Sequence, residues 1–336
     1  MTTLLSILLL LVEPSTAPAT TAPASNSGNP TVVIVVGAEG TPEYGKDFGT
    51  WADRWEAASK QRSAQFIAIG RDGSGDDASA DDHGKLKSVL EHQLREGTDP
   101  LWLVFIGHGT CDGKEAKFNL RGPDVSDAEL AEWLRPIHRP LAVIDCSSSS
   151  APFLNKLSAK NRVIITATRS GSEIQFSRFG DYLSAAIADP TADLDKDGQT
   201  SLLEAFLAAS HRTEEFYKQA SRLATEHALL EDTGDALGVS ADWFDGLRAT
   251  RAARDGAAID GTRAHQWSLV LSASEQAMPA ELRGKRDALE LQVEALRAKK
   301  KSLSEDAYYA QLEKIMLELA HVYDSAAAAT QPTAAK

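Results

Sequence analysis

The chain has 336 residues, 43% hydrophobic and 25% charged, an ordinary globular composition with enough length to bury a sizeable core. Its 48 acidic residues against 35 basic ones leave a formal net charge of -13, which argues against nucleic acid as the main partner because phosphate binding needs a basic face. Two cysteines exclude a disulfide scaffold and a cysteine-based zinc cluster. Leu4 to Val12 is an apolar run broken only by Ser6. It is too short to span a bilayer but fits the core of a secretory signal. Small-residue sites at Ala17-Pro18-Ala19 and Ala22-Pro23-Ala24 follow it, although no basic residue precedes it. The expectation is export to the periplasm or the extracellular space, with no stable membrane span once the signal is cleaved. Glu13 to Pro30, rich in Pro, Ala, Ser and Thr, reads as a linker.

From Thr31 the pattern alternates. Val32 to Val36 is a continuous apolar run and predicts a strand buried on both faces. Phe48, Trp51, Trp55 and Ala58 recur at helical spacing within Asp47 to Lys60. Phe66 to Ile69 predicts a second strand, and Asp72 to Asp82 a solvated Gly/Asp loop. Leu86, Val89, Leu90 and Leu94 mark the next helix. Leu101 to Ile106, Leu141 to Ile144 and Val163 to Thr166 are the third, fourth and fifth strands, with helices around Ala128 to Leu134 and Pro152 to Leu157 between them. Strands alternating with helices predict an α/β fold with a mainly parallel sheet covered on both faces. Ligands in such sheets sit beyond the C-terminal strand ends.

Asp193-Leu-Asp195-Lys-Asp197-Gly198-Gln199-Thr-Ser201-Leu-Leu-Glu204 fits an EF-hand loop at each ligand position. Asp193, Asp195 and Asp197 offer carboxylates, Gln199 its carbonyl, Ser201 a hydroxyl or bridging water, and Glu204 a bidentate carboxylate. Ca2+ is therefore the expected cofactor. Thr200 stands where a paired hand has an aliphatic residue, and no second full loop exists in the chain. A lone loop is expected to bind on the order of 10⁻⁴–10⁻³ M.

Further on, Leu282, Leu289, Val293, Leu296 and Leu303 form a coiled-coil-like seam. Ser304 can cap a second helix with Tyr308, Leu312, Ile315, Leu319 and Val322 on its apolar face. This predicts a C-terminal α-helical hairpin that could support self-association. An Ala-rich tail follows and reads as disordered. The expected division is 1–30 signal-like segment and linker, 31–223 α/β domain with the calcium loop at 193–204, 224–278 connection, 279–324 hairpin and 325–336 tail.

The third strand runs into Gly107-His108-Gly109-Thr110, and the fourth into Asp145-Cys146-Ser147. An imidazole beside a thiol can drive nucleophilic attack, with His108 handling protons and the Gly109 amide facing an oxyanion. A His-Gly pair after one strand and an acidic-x-Cys element after the next resemble the caspase, metacaspase and legumain group of cysteine peptidases. The resemblance covers roughly Thr31 to Leu223. The chain is also similar to a bacterial branch that reads Gly-His-Gly-Thr, then Ala-Thr-Arg-Ser-Gly, then an EF-hand loop. Here those are Gly107 to Thr110, Ala167 to Gly171 and Asp193 to Glu204. The resemblance implies a caspase-like three-layer sandwich, a peptide or protein ligand, and Arg169 in the substrate pocket.

One departure bears on activity. Metacaspases read Asp-x-Cys, and registering Asp145 on that acid puts Ser147 at the nucleophile position. Cys146 lies one residue off, on the other face of an extended strand. A Cys111–Cys146 disulfide across the sheet edge is a structural alternative that would remove the thiol. Three functions follow as expectations: a degenerate peptidase serving binding or scaffolding, an active cysteine endopeptidase using a His108/Cys146 dyad, and a calcium-dependent interaction protein. A remote fourth, a P-loop-like nucleotide binder, comes from Gly40 to Asp47, where Asp47 replaces the magnesium-binding Ser or Thr and Glu43 brings a carboxylate among the phosphates.

Overall fold

The β-branched run after Pro30 forms β1 (Thr31–Val36), with all of its residues buried. The structure, a computed structural model, describes residues 28–71, 81–93, 99–255 and 257–330. The signal-like run, the Gly/Asp loop up to residue 80 and Leu94 lie outside them. After β1 come α1 (Pro42–Arg62), β2 (Gln65–Ile69), α2 (Asp82–Gln93) and β3 (Leu101–Ile106). Three short strands follow, β4 (Gly109–Cys111), β5 (Ala116–Phe118) and β6 (Val125–Ser126), then α3 (Asp127–Leu134), β7 (Leu141–Asp145), α4 (Ala151–Leu157) and β8 (Arg162–Thr166). The next elements are α5 (Phe179–Ala186), α6 (Leu202–Gln219), β9 (Leu229–Glu231), β10 (Phe244–Asp245) and β11 (Arg248–Ala249). The last helices are α7 (Thr262–His265), α8 (Ala273–Ala277), α9 (Ala280–Ala298) and α10 (Glu305–Thr330).

The main sheet has the order β2-β1-β3-β7-β8-β9, parallel except for β9, which runs antiparallel to β8. Alternation assigns its side chains to two cores. Ile34, Val104, Ile144 and Ile165 pack with α1, α5 and α6. Val33, Leu103, Val143 and Ile164 pack with α2, α3 and α4. The chain is thus a mixed α/β fold, a mostly parallel central sheet between two helical layers.

α1 starts five residues before the expected Asp47 because Pro42 is preorganised for the first helical turn. This removes the nucleotide reading. The Gly45 amide donates to Thr41 O at 3.1 Å inside the first turn, so it is spent within the helix and does not face a phosphate. At the other end, Leu289, Val293, Leu319 and Val322 close a separate core between α9 and α10. α10 continues to Thr330, past the expected start of the disordered tail at 325, because Ala is the strongest helix former. No helix among the described residues is long and apolar enough to cross a membrane.

Asp260 lies buried beside Asp232, Glu231 and Asp235, and burial together with those carboxylates pushes its carboxyl up to about 8. Its folded pKa is raised above the ordinary value near 4, so its stabilising proton is fully held below that value. The contribution is then lost as pH rises through about 8. Unfolding free energy should therefore decline between about pH 4 and about pH 8 and level off above that. An Asp260→Asn variant should flatten that decline and be more stable than the parent at pH 9 by about 1–3 kcal/mol. Urea titrations across that range measure it.

Candidate active site and candidate cation loop

The β7 register decides where the thiol goes. Ala142, Ile144 and Cys146 fall on one face and join the core under α1 and α5. Cys146 is 1% exposed. α5 closes over it so tightly that a Cβ on Gly180 would lie 2.7 Å from Cys146 Cβ and 2.7 Å from the Trp51 ring. Burial and the carboxylates of Asp145 and Glu226 push the Cys146 thiol well above its ordinary range. A reactive cysteine needs the opposite surroundings, cationic and partly open.

Ser147, two residues after Asp145 at the same strand end, is also fully buried. Its hydroxyl donates to Asp145 Oδ1 at 2.6 Å and its amide donates to the same oxygen at 3.0 Å. Burial raises the Asp145 carboxyl to about 6 against those two bonds. The following serines stitch strand ends together. Ser148 Oγ donates to Gly109 O at 3.0 Å and accepts from Gly109 N at 3.3 Å. Ser150 Oγ lies 3.1 Å from Thr168 Oγ1. The Gly109 amide is therefore engaged inside the fold, which corrects its expected oxyanion role. Only glycine fits there, since a Cβ would lie 2.3 Å from Ser148 O and 2.7 Å from Ser147 Oγ.

His108 sits half-buried in an aromatic box. Tyr44 and Phe48 meet its ring edge-on at 4.9 and 5.2 Å, Phe176 is 6.0 Å away, and Nε2 lies 3.3 Å from Glu39 O. The expected Cys111–Cys146 bridge does not form, and both residues are thiols. Cys111 packs with the core under α2, α3 and α4, and Cys146 with the other, so the sheet separates them. Arg169 lines a cavity of about 540 Å³ with Phe179, Glu226, His227 and Trp243. Its Nε is 3.3 Å from Glu173 Oε1, and the same oxygen meets His227 Nδ1 at 2.6 Å.

The 193–204 loop gathers carboxylates. Oxygens of Asp193, Asp195 and Asp197 all lie within 4.8 Å of one another. The turn is formed by Lys196 and Gly198 at positive φ, 64° and 89°, and Asp193 accepts from Lys196 N at 2.6 Å and Gly198 N at 3.1 Å. Glu204 accepts from Leu194 N at 2.6 Å and Ser201 N at 2.8 Å, which folds the end of the loop back on its start. Ser201 caps α6 in a capping box with Glu204, so its hydroxyl serves the helix rather than pointing to a cation. Crowding of Asp195 and Glu204 adds to burial in raising the Asp197 carboxyl. The hard-oxygen donor set fits calcium. The loop is not left alone. Leu202 N donates to Trp267 O at 2.6 Å, and Ser201 bridges Ser268 in antiparallel fashion.

Two positions beside these sites escaped the sequence reading. Glu226 reaches the start of α5 from an irregular segment, and His265 places Nε2 at 3.1 Å from Asp195 Oδ2. Neither belongs to a local motif, so neither carried a signal before folding brought it into place.

No protein-family model and no curated protein sequence matches the chain. Among solved structures it is similar to caspase-1 from Spodoptera frugiperda, with 8% identity, 67% of this chain and 94% of that one covered, and a TM-score of 0.40. The Drosophila initiator caspase Dronc gives 11% identity, coverage of 70% and 96%, and a TM-score of 0.40. A protein from Geobacter sulfurreducens gives 11%, coverage of 61% and 93%, and 0.38. At these identities and scores the similarity carries over no activity and no residue role.

Proposed function

We propose that the chain is an exported, calcium-binding, degenerate member of the caspase/legumain-like group that serves as a binding or scaffold module. The observation that carries this reading is the burial of Cys146 in an apolar core, between carboxylates that raise its thiol. Ser147 does not replace it. A serine nucleophile needs a general base and an open approach, and this hydroxyl is buried and donates to Asp145. His108 keeps the ancestral position but is walled by aromatic rings. The carboxylates of Asp193, Asp195 and Asp197 would hold calcium, with Glu204 closing the loop from α6. Calcium supplies charge neutralisation there, and the loop ties α6 to the segment around Trp267.

A peptidyl acyloxymethyl ketone tests the reading directly. It should leave Cys146 unmodified in the native protein, as read by intact mass and peptide mapping. Modification of Cys146 that disappears in a His108→Ala variant would establish the active endopeptidase instead.

A further inference from the structure

We propose that His265 is a direct ligand of the cation held by the 193–204 loop. The site then has a mixed nitrogen and oxygen donor set and takes manganese or zinc in preference to calcium. The inference rests on the reading of that loop as a cation site and deepens it. A ligand nitrogen of His265 and carboxylate oxygens of Asp195 and Glu204 lie within 4.8 Å of one another, drawn from α7, the loop and α6. Asp195 is common to this group and to the Asp193/Asp197 group, so the two lie side by side.

The imidazole is held in place. Asp232 accepts from Gly261 N at 3.0 Å and from Ala264 N at 2.8 Å, fixing the start of α7. His265 N donates to Gly261 O at 2.8 Å, and Trp267 O accepts from Leu202 N just beyond it. The strand position that a sister hand would fill is thus taken by residues around Ser268, and the helix before them carries the ring. Its side chain is 37% exposed, so an ion can reach it. Chemistry then sets the preference. Calcium takes oxygen ligands, whereas imidazole suits zinc and other first-row divalent ions.

The residue that caps this helix links it to the hairpin. Gln266 Nε2 donates to Asp287 O and to Glu290 Oε2, both at 2.9 Å. An ion bound by both the loop and His265 would therefore brace the hairpin against the α/β domain.

The test is pulsed electron paramagnetic resonance of the full chain loaded with MnCl2, beside titration calorimetry with MnCl2, ZnCl2 and CaCl2. Directly coordinated ¹⁴N coupling should be present in the parent and lost in His265→Ala. That variant should bind manganese and zinc about tenfold or more weakly, with calcium affinity changed by less than about threefold. Manganese binding that is lost in Asp193→Ala, but shows no nitrogen coupling in the parent, would overturn the inference and leave the loop reading intact. Coupling that persists in His265→Ala would overturn it as well. If the parent binds none of the three ions, both the inference and the loop reading fail.

Discussion

Replacing Glu226 with alanine is expected to destabilise the fold by about 4 kcal/mol or more. Glu226 is 3% exposed and comes from the segment after α6. Its Oε2 accepts from Ser177 Oγ at 2.6 Å, Arg178 N at 2.9 Å and Phe179 N at 3.0 Å. Its Oε1 accepts from Tyr217 OH at 3.1 Å. Alanine would leave the Ser177 hydroxyl and the Arg178 and Phe179 amides without this acceptor, each at a cost of about 1–3 kcal/mol, while Tyr217 OH keeps Thr225 Oγ1 at 2.8 Å. It would also remove a negative charge from the positive end of the α5 dipole. Glu226→Gln keeps an acceptor oxygen and should cost roughly half as much. Urea unfolding of both variants measures the difference. A loss below about 1 kcal/mol for alanine would mean that the carboxylate does not anchor α5.

The second large effect concerns the loop. Saturation with 10 mM CaCl2 should stabilise the parent by about 1.4–2.7 kcal/mol if the site binds at 10⁻³–10⁻⁴ M. Asp193→Ala removes a carboxylate from the three-aspartate group and the acceptor of the Lys196 and Gly198 amides. Its unfolding midpoint should fall and should no longer respond to calcium. Thermal melts with CaCl2 against MgCl2 separate the cation effect from ionic strength. A calcium shift that survives in Asp193→Ala would place the ion elsewhere.

Four of the five parallel strands, β1, β3, β7 and β8, were legible because they are buried on both faces, and such runs need no periodicity to be seen; the edge strand β2 showed only as a short apolar run. The short strands β4 to β6 were not, since two or three residues cannot display alternation. β9 was missed for the same reason, and its Glu231 breaks the apolar pattern. The gathering of Asp193, Asp195 and Asp197 was readable because they lie in one continuous segment, whereas the use of Ser201 as the α6 cap was not. The strand-end site was readable only in part. Alternation already placed Cys146 and Ser147 on opposite faces. That the Cys146 face would be sealed depended on Gly180 and Trp51, residues far away in sequence. The disulfide expectation failed at this step, because proximity to one sheet edge does not settle which core each thiol enters. Glu226 and His265 are single charged or titratable residues outside any motif, and only tertiary packing gives them partners.

The most direct measurement of the central claim is peptide cleavage. The full chain, incubated with CaCl2 and a proteome-derived peptide library, is read by mass spectrometry beside His108→Ala and Cys146→Ala. With the thiol sealed between α1, α5 and the sheet, the three proteins should yield indistinguishable peptide sets. Cleavage by the parent that both variants abolish would show a working His108/Cys146 dyad and contradict the account.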